Sequence, residues 1–312
     1  MKKVLIKKVL VTGGSGLVGS AIKDISEYHL FDFIFVNSKD CNLLSFKECN
    51  DLFEKIKPTY VIHLAACVGG LYKNMSQKVK MLEDNLAINT NVLKCAKIHL
   101  VEKLIACLST CVFPDKVSGK INESMLNDGP PHSSNEGYAY AKRILDCQCR
   151  LYNQMYGTNF ICIIPTNIYG FNDNFNLEDS HVLPALIHKA YLAKRDNLPF
   201  VIKGSGKPLR QFIYSKDLAK LILLILSSRH NENTIILSPS EEYSIKTIAD
   251  IIANIFEISK VHYDTTFSDG QYSKTVDNSK MFELFDFKFT PINEGILETI
   301  KWFKNNYNTL RK

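Results

Sequence analysis

No apolar run in this 312-residue chain approaches the ~20 residues needed to cross a bilayer, which removes the membrane-spanning helical classes. The start, Met1-Lys-Lys-Val-Leu-Ile-Lys-Lys, is basic, but Lys7 and Lys8 interrupt its apolar stretch, so it reads as a poor signal peptide. No Cys-x-x-Cys occurs among the nine cysteines, an odd number, so neither a zinc ribbon nor a disulfide framework is supported. The thiols read as reduced and cytosolic. Cys147-Gln-Cys149 lies in an amphipathic helical stretch without partners at zinc-site spacing, and reads as a pair of buried or half-buried thiols. Lys-Arg clusters long enough for a nucleic-acid stripe are also missing. The net charge of +6 is scattered and better suits an anionic small molecule than nucleic acid. There is no low-complexity segment and no repeat beyond Lys-Lys-Val-Leu, which occurs at 2–5 and again at 7–10 and suggests a short extension before the first strand.

What is present is an alternation of short apolar runs and amphipathic helical patterns. Strands are expected at Lys8–Thr12, Phe33–Val36, Tyr60–Ala66, Lys103–Leu108 and Phe160–Ile164. Helices are expected at Phe46–Ile56 (stopped by Pro58), Met81–His99 and Asn135–Tyr156 (ended by Gly157). Strands alternating with helices imply βαβ units and a parallel sheet. After Pro165 the rhythm changes. Asn167–Asp179 reads as a long loop, Val182–Arg195 as a helix, and 204–210 as a loop before the strand Gln211–Tyr214. Lys216–Ser228, Thr234–Leu237 and Ile245–Ile258 follow as helix, strand and helix. The fold class expected is α/β: a Rossmann-type, doubly wound parallel sheet with a smaller, irregular α/β substrate-binding lobe. The dinucleotide-binding domain would span 1–165 with segments returning near 211–240, and the substrate lobe 166–210 and 241–312.

Gly13-Gly14-Ser15-Gly16-Leu17-Val18-Gly19 follows the first strand and opens a helix. Glycines there permit the tight turn and a close backbone approach to a pyrophosphate, which then faces the free N–H groups of a helix N-terminus. The second strand ends in Val36-Asn37-Ser38-Lys39-Asp40. An NAD binder usually places an acidic residue at this point, whereas Asn37 is neutral, Ser38 can donate and Lys39 can neutralise a 2′-phosphate, so NADPH is the expected cofactor. The competing reading leaves Lys39 as solvated surface and gives Asp40 the acidic role.

Tyr138 and Lys142 are four apart in a helical stretch and share a face. A phenol near pKa ~10 is a poor acid/base at neutral pH, and a neighbouring ammonium is expected to bring it into range. Ser109, at a strand's C-terminal end, can hydrogen-bond the same carbonyl oxygen. These three residues suggest hydride transfer at a carbonyl. Cys111, two residues after Ser109, and His181 in Asp179-Ser-His-Val-Leu-Pro184 add a second acid/base pair that hydride transfer alone does not need. The plainer alternatives are a small buried thiol and a histidine that caps a helix.

These residues resemble the extended, nucleotide-sugar-modifying form of the short-chain dehydrogenase/reductase superfamily over nearly the whole chain. His63-Leu-Ala-Ala-Cys-Val-Gly-Gly70, Leu108-Ser-Thr-Cys-Val-Phe-Pro114, Pro165-Thr-Asn-Ile-Tyr-Gly170, Asp173-Asn-Phe175 and Ser180-His-Val-Leu-Pro-Ala-Leu186 narrow the resemblance to the GDP-L-fucose synthase family. That resemblance implies a cytoplasmic, bifunctional enzyme that epimerises GDP-4-keto-6-deoxy-D-mannose at C3 and C5 and reduces it at C4 with NADPH. It implies Cys111 and His181 as the epimerising acid/base pair, since inverting a carbon beside a ketone needs a proton removed on one face and returned on the other. Ala65, Ala66, Pro165, Thr166, Asn167, Ile168 and His181 would lie along the cofactor. Lys189 and Arg210 would approach the diphosphate, and Lys203 and Asp277 would line the nucleotide or sugar pocket. No metal is implied. Relatives pair the helices Met81–His99 and Asn135–Tyr156 across a homodimer. Two departures stand out: Phe171 replaces a proline and is expected to relax its loop, and Gln211 stands where an acidic residue is common. The rival readings are an NAD-dependent C4-epimerase or dehydratase of another nucleotide sugar, and a catalytically silent nucleotide sensor on a reductase fold.

Overall fold

The structure is a computed structural model that describes residues 6–27, 29–267, 269 and 274–312. The first Lys-Lys-Val-Leu, and with it the expected N-terminal extension, lies outside the described residues. The first part of the chain runs β1 (Lys7–Thr12), α1 (Leu17–Ser26), β2 (Phe31–Val36), α2 (Phe46–Ile56), β3 (Tyr60–His63), α3 (Leu71–Ser76), α4 (Lys78–Ile98), β4 (Lys103–Cys107), α5 (Glu136–Tyr156) and β5 (Phe160–Pro165). There follow β6 (Asn167–Tyr169), α6 (Val182–Asp196), β7 (Phe200–Lys203), β8 (Leu209–Arg210), β9 (Phe212–Tyr214), α7 (Ser215–Ser227) and β10 (Thr234–Leu237). The chain ends with β11 (Tyr243–Ser244), α8 (Ile245–Ile255), β12 (Val261–Asp264), α9 (Ser279–Leu284) and α10 (Ile292–Asn306).

Six parallel strands form the central sheet in the order β10-β5-β4-β3-β1-β2. The inner strands are covered on both faces, which is why they read as nearly continuous apolar runs. Alternate residues feed opposite layers. Leu10, Val61, Leu104 and Cys162 pack with α2, α4 and α5, while Val9, Ile62, Ile105 and Ile163 pack with α1 and α7. A third core joins α6, α8 and α10 around Phe175, Phe200 and Phe303. The strand order reverses at β1/β3, the point where open α/β sheets bind ligands beyond the carboxyl ends of their strands.

The boundaries depart from the sequence pattern for identifiable reasons. Tyr60–Ala66 is strand only to His63, because the Ala65 N–H turns to the Thr12 hydroxyl (3.3 Å) instead of a neighbouring strand. The loop expected at Asn167–Asp179 begins as β6, which pairs in parallel with β9. The β7–β12 pair and α10 were not anticipated; β7 and β12 pair across 57 intervening residues. Phe171 does not loosen its loop. Its ring stacks on Trp302 at 5.7 Å and meets Tyr214 edge-on at 6.3 Å, contacts that restrain the segment without proline. Gln211 is buried and uses both ends of its amide: it donates to the Pro239 carbonyl and accepts from the Val276 N–H, both at 2.9 Å. A carboxylate could not donate the first of these bonds.

Candidate active site

A cleft of about 460 Å³ opens at the carboxyl ends of β1, β3, β4 and β5. Gly13, Gly16, Leu17, Val18 and Gly19 form one wall. Gly13 has φ +71°, and a Cβ there would lie 2.8 Å from the Ala65 nitrogen; one on Gly19 would lie 2.5 Å from the Gly13 carbonyl. These two positions therefore require glycine, since a side chain would push the turn away from the sheet. Gly16 is the N-cap of α1 without a side-chain cap, so the first-turn N–H groups remain available to an anion. The cradle fits a dinucleotide pyrophosphate. At the end of β2, Asp40 accepts the Asn37 N–H (2.8 Å) and Asn37 accepts the Lys39 N–H (2.8 Å), so the acidic side chain is engaged in its own turn. Lys39 makes no ion pair among the described residues. Asn37, Ser38, Lys39 and Asp40, with Gly14, Ser15 and Ala65, lie outside the lining of this cleft.

Ser109, Tyr138, Lys142 and His181 all line it, together with Ala66, Pro165, Thr166, Asn167 and Ile168. Ser109 follows β4, accepts the Cys111 N–H at 3.4 Å and has its hydroxyl beside the Cys111 thiol. Tyr138 and Lys142 project from the first half of α5. The Lys142 ammonium lies 5.7 Å from the centre of the Tyr138 ring and donates to the Cys107 carbonyl at 2.6 Å. Burial holds the phenol well above its usual range and draws the ammonium below its own. Desolvation dominates at the phenol, and the ammonium is engaged by a carbonyl. A neutral phenol is the form that donates a proton to a ketone being reduced.

Cys111 sits half-buried in the short turn after β4 and does not itself line the cleft. Burial pushes its thiol up, against the Ser109 hydroxyl and the Lys274 and Lys142 ammonium groups, which pull it down. His181 occupies the N-cap position of α6 but its side chain makes no capping bond, so the helix-cap alternative does not account for it. The cleft walls hold its imidazole below the ordinary value, with Asp179 opposing. Both shifts favour the neutral forms of the thiol and the imidazole, although His181 itself is exposed. Beneath the cleft, His63 is fully buried between Thr12 Oγ1 (2.8 Å) and Asn89 Oδ1 (3.1 Å), and desolvation brings it down to about 3.

The NAD dependent epimerase/dehydratase family matches residues 9–237. A GDP-L-fucose synthase from Dictyostelium discoideum is 51% identical over 313 aligned residues, covering 98% of both chains. The probable GDP-L-fucose synthase of Drosophila melanogaster is 44% identical, over 98% of this chain and 100% of that protein. The crystal structure of a GDP-L-fucose synthetase from Naegleria fowleri bound to NADP superposes with a TM-score of 0.93 at 45% identity, over 100% of this chain and 97% of that one. The chain belongs to the GDP-L-fucose synthase family.

Within this family fold, the other expected contacts fall outside the lining of the cleft. Lys189, Lys203, Arg210 and Asp277 are not among its lining residues. Lys189 and Lys203 are neighbours, and burial, then Lys203, lowers the Lys189 ammonium. The Lys203 ammonium lies 4.7 Å over the Phe267 ring, a cation–π contact. Asp277 accepts the Ser279 N–H at 3.0 Å and serves a local turn. Conversely, Val68, Gly69, Lys73, Cys107, Asp173, Asn174, Asp179 and Arg311 line the cleft without having been anticipated. Arg311 is brought there by the tail, whose Arg311 carbonyl accepts the Phe175 N–H at 2.9 Å.

Proposed function

We infer that this enzyme carries out the 3,5-epimerisation and NADPH-dependent 4-reduction of GDP-4-keto-6-deoxy-D-mannose to GDP-L-fucose. The observation that carries the reading is Ser109, Tyr138, Lys142 and His181 lining one cleft in a chain 51% identical, end to end, to a GDP-L-fucose synthase. NADPH, when bound, supplies the hydride for the C4 carbon. The chain's own part is to hold and move protons. Tyr138, kept as a neutral phenol by burial, gives its proton to the C4 oxygen, and Ser109 donates a second hydrogen bond to that oxygen. During epimerisation the same two donors stabilise the enolate oxygen, while Cys111 and His181 exchange protons at C3 and C5.

Lys39 is assigned to the cofactor's 2′-phosphate, and Lys189 and Arg210 to the substrate diphosphate, as charge-assisted contacts. Residues 1–165 with the return near 211–240 would hold the cofactor, and 166–210 with 241–312 the sugar nucleotide. A homodimer through α4 and α5 is supported by the exposed apolar side chains Val79, Ile144, Leu151 and Met155 on those helices. Nine free cysteines suit the cytosol. No helix among the described residues is long and apolar enough to cross a membrane. The reading is tested by incubating the enzyme with GDP-4-keto-6-deoxy-D-mannose and NADPH and identifying the product by NMR. GDP-L-fucose is expected; a product still carrying the D-manno configuration at C3 and C5 would refute the epimerising half.

A further inference from the structure

The segment between β6 and α6 is closed by its own polar side chains. Asp173 accepts the Asn174 N–H at 2.7 Å and Asn174 accepts the Asn176 N–H at 3.1 Å. Asn176 accepts the N–H groups of Glu178 and Asp179 at 2.8 and 3.0 Å. The Asn174 amide then donates to the Asp179 carbonyl at 3.2 Å. Asp179 is held by this ring, and its side chain reaches out of it: Oδ1 accepts the Gly70 N–H at 2.8 Å. The two backbones are close. A Cβ on Gly70 would lie 2.8 Å from the Asp179 carbonyl oxygen and 3.2 Å from Oδ1. One carboxylate therefore fastens the loop after β3 to the segment that starts α6, and both line the cleft. No ion pair with Asp179 occurs among the described residues.

His181 stands two residues further on, at the N-cap of α6, with no capping bond to hold its ring. We propose that Asp179 is a positioning residue for the epimerisation stage, fixing the start of α6 against the Gly69-Gly70 loop and presenting its negative charge to His181 so that the imidazole can hold a proton during the exchange. The proposal rests on the assignment of His181 as one of the two acid/base groups. The other charged or titratable side chains facing the same cleft are Lys73 from α3, Tyr138 and Lys142 from α5, Cys107 from β4, Asp173 from the preceding loop and Arg311 from the tail. Of all these groups, Asp179 is the one that acts to raise the proton affinity of His181, against the desolvation that lowers it.

Asp179→Asn keeps an acceptor for the Gly70 N–H and removes only the charge. Deuterium uptake from heavy water at C3 and C5 of GDP-4-keto-6-deoxy-D-mannose, measured without NADPH across pH, reads the epimerisation alone. NADPH oxidation with the already epimerised 4-keto sugar reads the reduction alone. The expected result is that the pH limb owed to His181 moves to lower pH, with uptake at its optimum down about tenfold, while reduction falls far less. Gly70→Ala, which crowds the clamp but keeps the charge, should lower uptake without moving the limb. His181→Asn separates the two claims. If it leaves uptake intact, the assignment of His181 fails, and the proposal with it. If it abolishes uptake but Asp179→Asn leaves the limb in place, the proposal alone is overturned. Equal loss of uptake and reduction in Asp179→Asn would mark a purely structural residue and also overturn it.

Discussion

The Lys142 ammonium donates to the Cys107 carbonyl at 2.6 Å, joining the first half of α5 to the last residue of β4. The bond turns a buried cation toward the end of a parallel strand, where carbonyls lack ladder partners, and it fixes the helix on which Tyr138 rides. Lys142 is only 2% exposed, so its charge needs that acceptor. It therefore acts on Tyr138 by placement before it acts by charge.

Tyr138→Phe removes the proton donor and keeps the ring. NADPH oxidation should fall by about 10²–10⁴-fold, with cofactor affinity little changed. Lys142→Met should lower turnover similarly but also weaken the α5–β4 seam and the melting temperature. Near-normal turnover in Tyr138→Phe removes the phenol from the proton path.

Cys111→Ala should suppress deuterium uptake at the epimerised carbons by about 10²-fold or more. Reduction of the epimerised keto-sugar should survive, because Ser109 and Tyr138 remain. Burial pushes the thiol up, which favours the protonated form over a thiolate nucleophile and suits the assigned part in proton exchange. Unchanged uptake discards that role.

Much of this site could be read in the chain because its chemistry was carried by residue type at fixed spacing. The glycines of 13–19 are dictated by backbone clearance, and Tyr138 with Lys142 by the helical repeat. The buried strands were legible as apolar runs because both faces are covered. What escaped has a common cause. The Cys107 contact uses a main-chain carbonyl, which leaves no trace in residue identity. Asp179 reaches Gly70 across 109 positions, and Arg311 arrives from the end of the chain, contacts that local periodicity does not encode. The Asn- and Asp-rich stretch read as a long loop, and residue type alone did not show that its side chains close on the backbone and shape the cleft.

Lys39→Ala should weaken NADPH about tenfold, the scale of one charge-assisted contact, and leave NADH nearly untouched. Asp40 is engaged with the Asn37 N–H, so it is not expected to take over as a 2′-hydroxyl acceptor. Titration of the two nucleotides by fluorescence quenching checks this. Equal losses for both reassign Lys39 to the surface.

Asp173 is expected to make stability depend on pH. Its side chain is buried at 4% exposure, Oδ1 accepts the Asn174 N–H, and Oδ2 has no hydrogen-bond partner among the described residues. Desolvation pushes its carboxyl up to about 7, with the Asn174 N–H and Arg311 pulling the other way. An unfolded aspartate titrates near ~3.9. Between these two values the folded chain binds the extra proton, so stability falls as pH rises from about 4 through about 7, and stays lower above. The shift of roughly three units sets an upper bound of about 4 kcal/mol on the loss. Asp173→Asn cannot ionise, so it should melt at a higher temperature than the parent at pH 8, and the gap should close toward pH 5. Arg311→Ala, which removes the cation that favours the carboxylate, should steepen the parent's decline. Thermal melts of the three proteins at pH 5, 6, 7 and 8 decide the matter. Parallel curves for Asp173→Asn and the parent would show that the carboxyl finds a partner in solution and titrates as an ordinary aspartate.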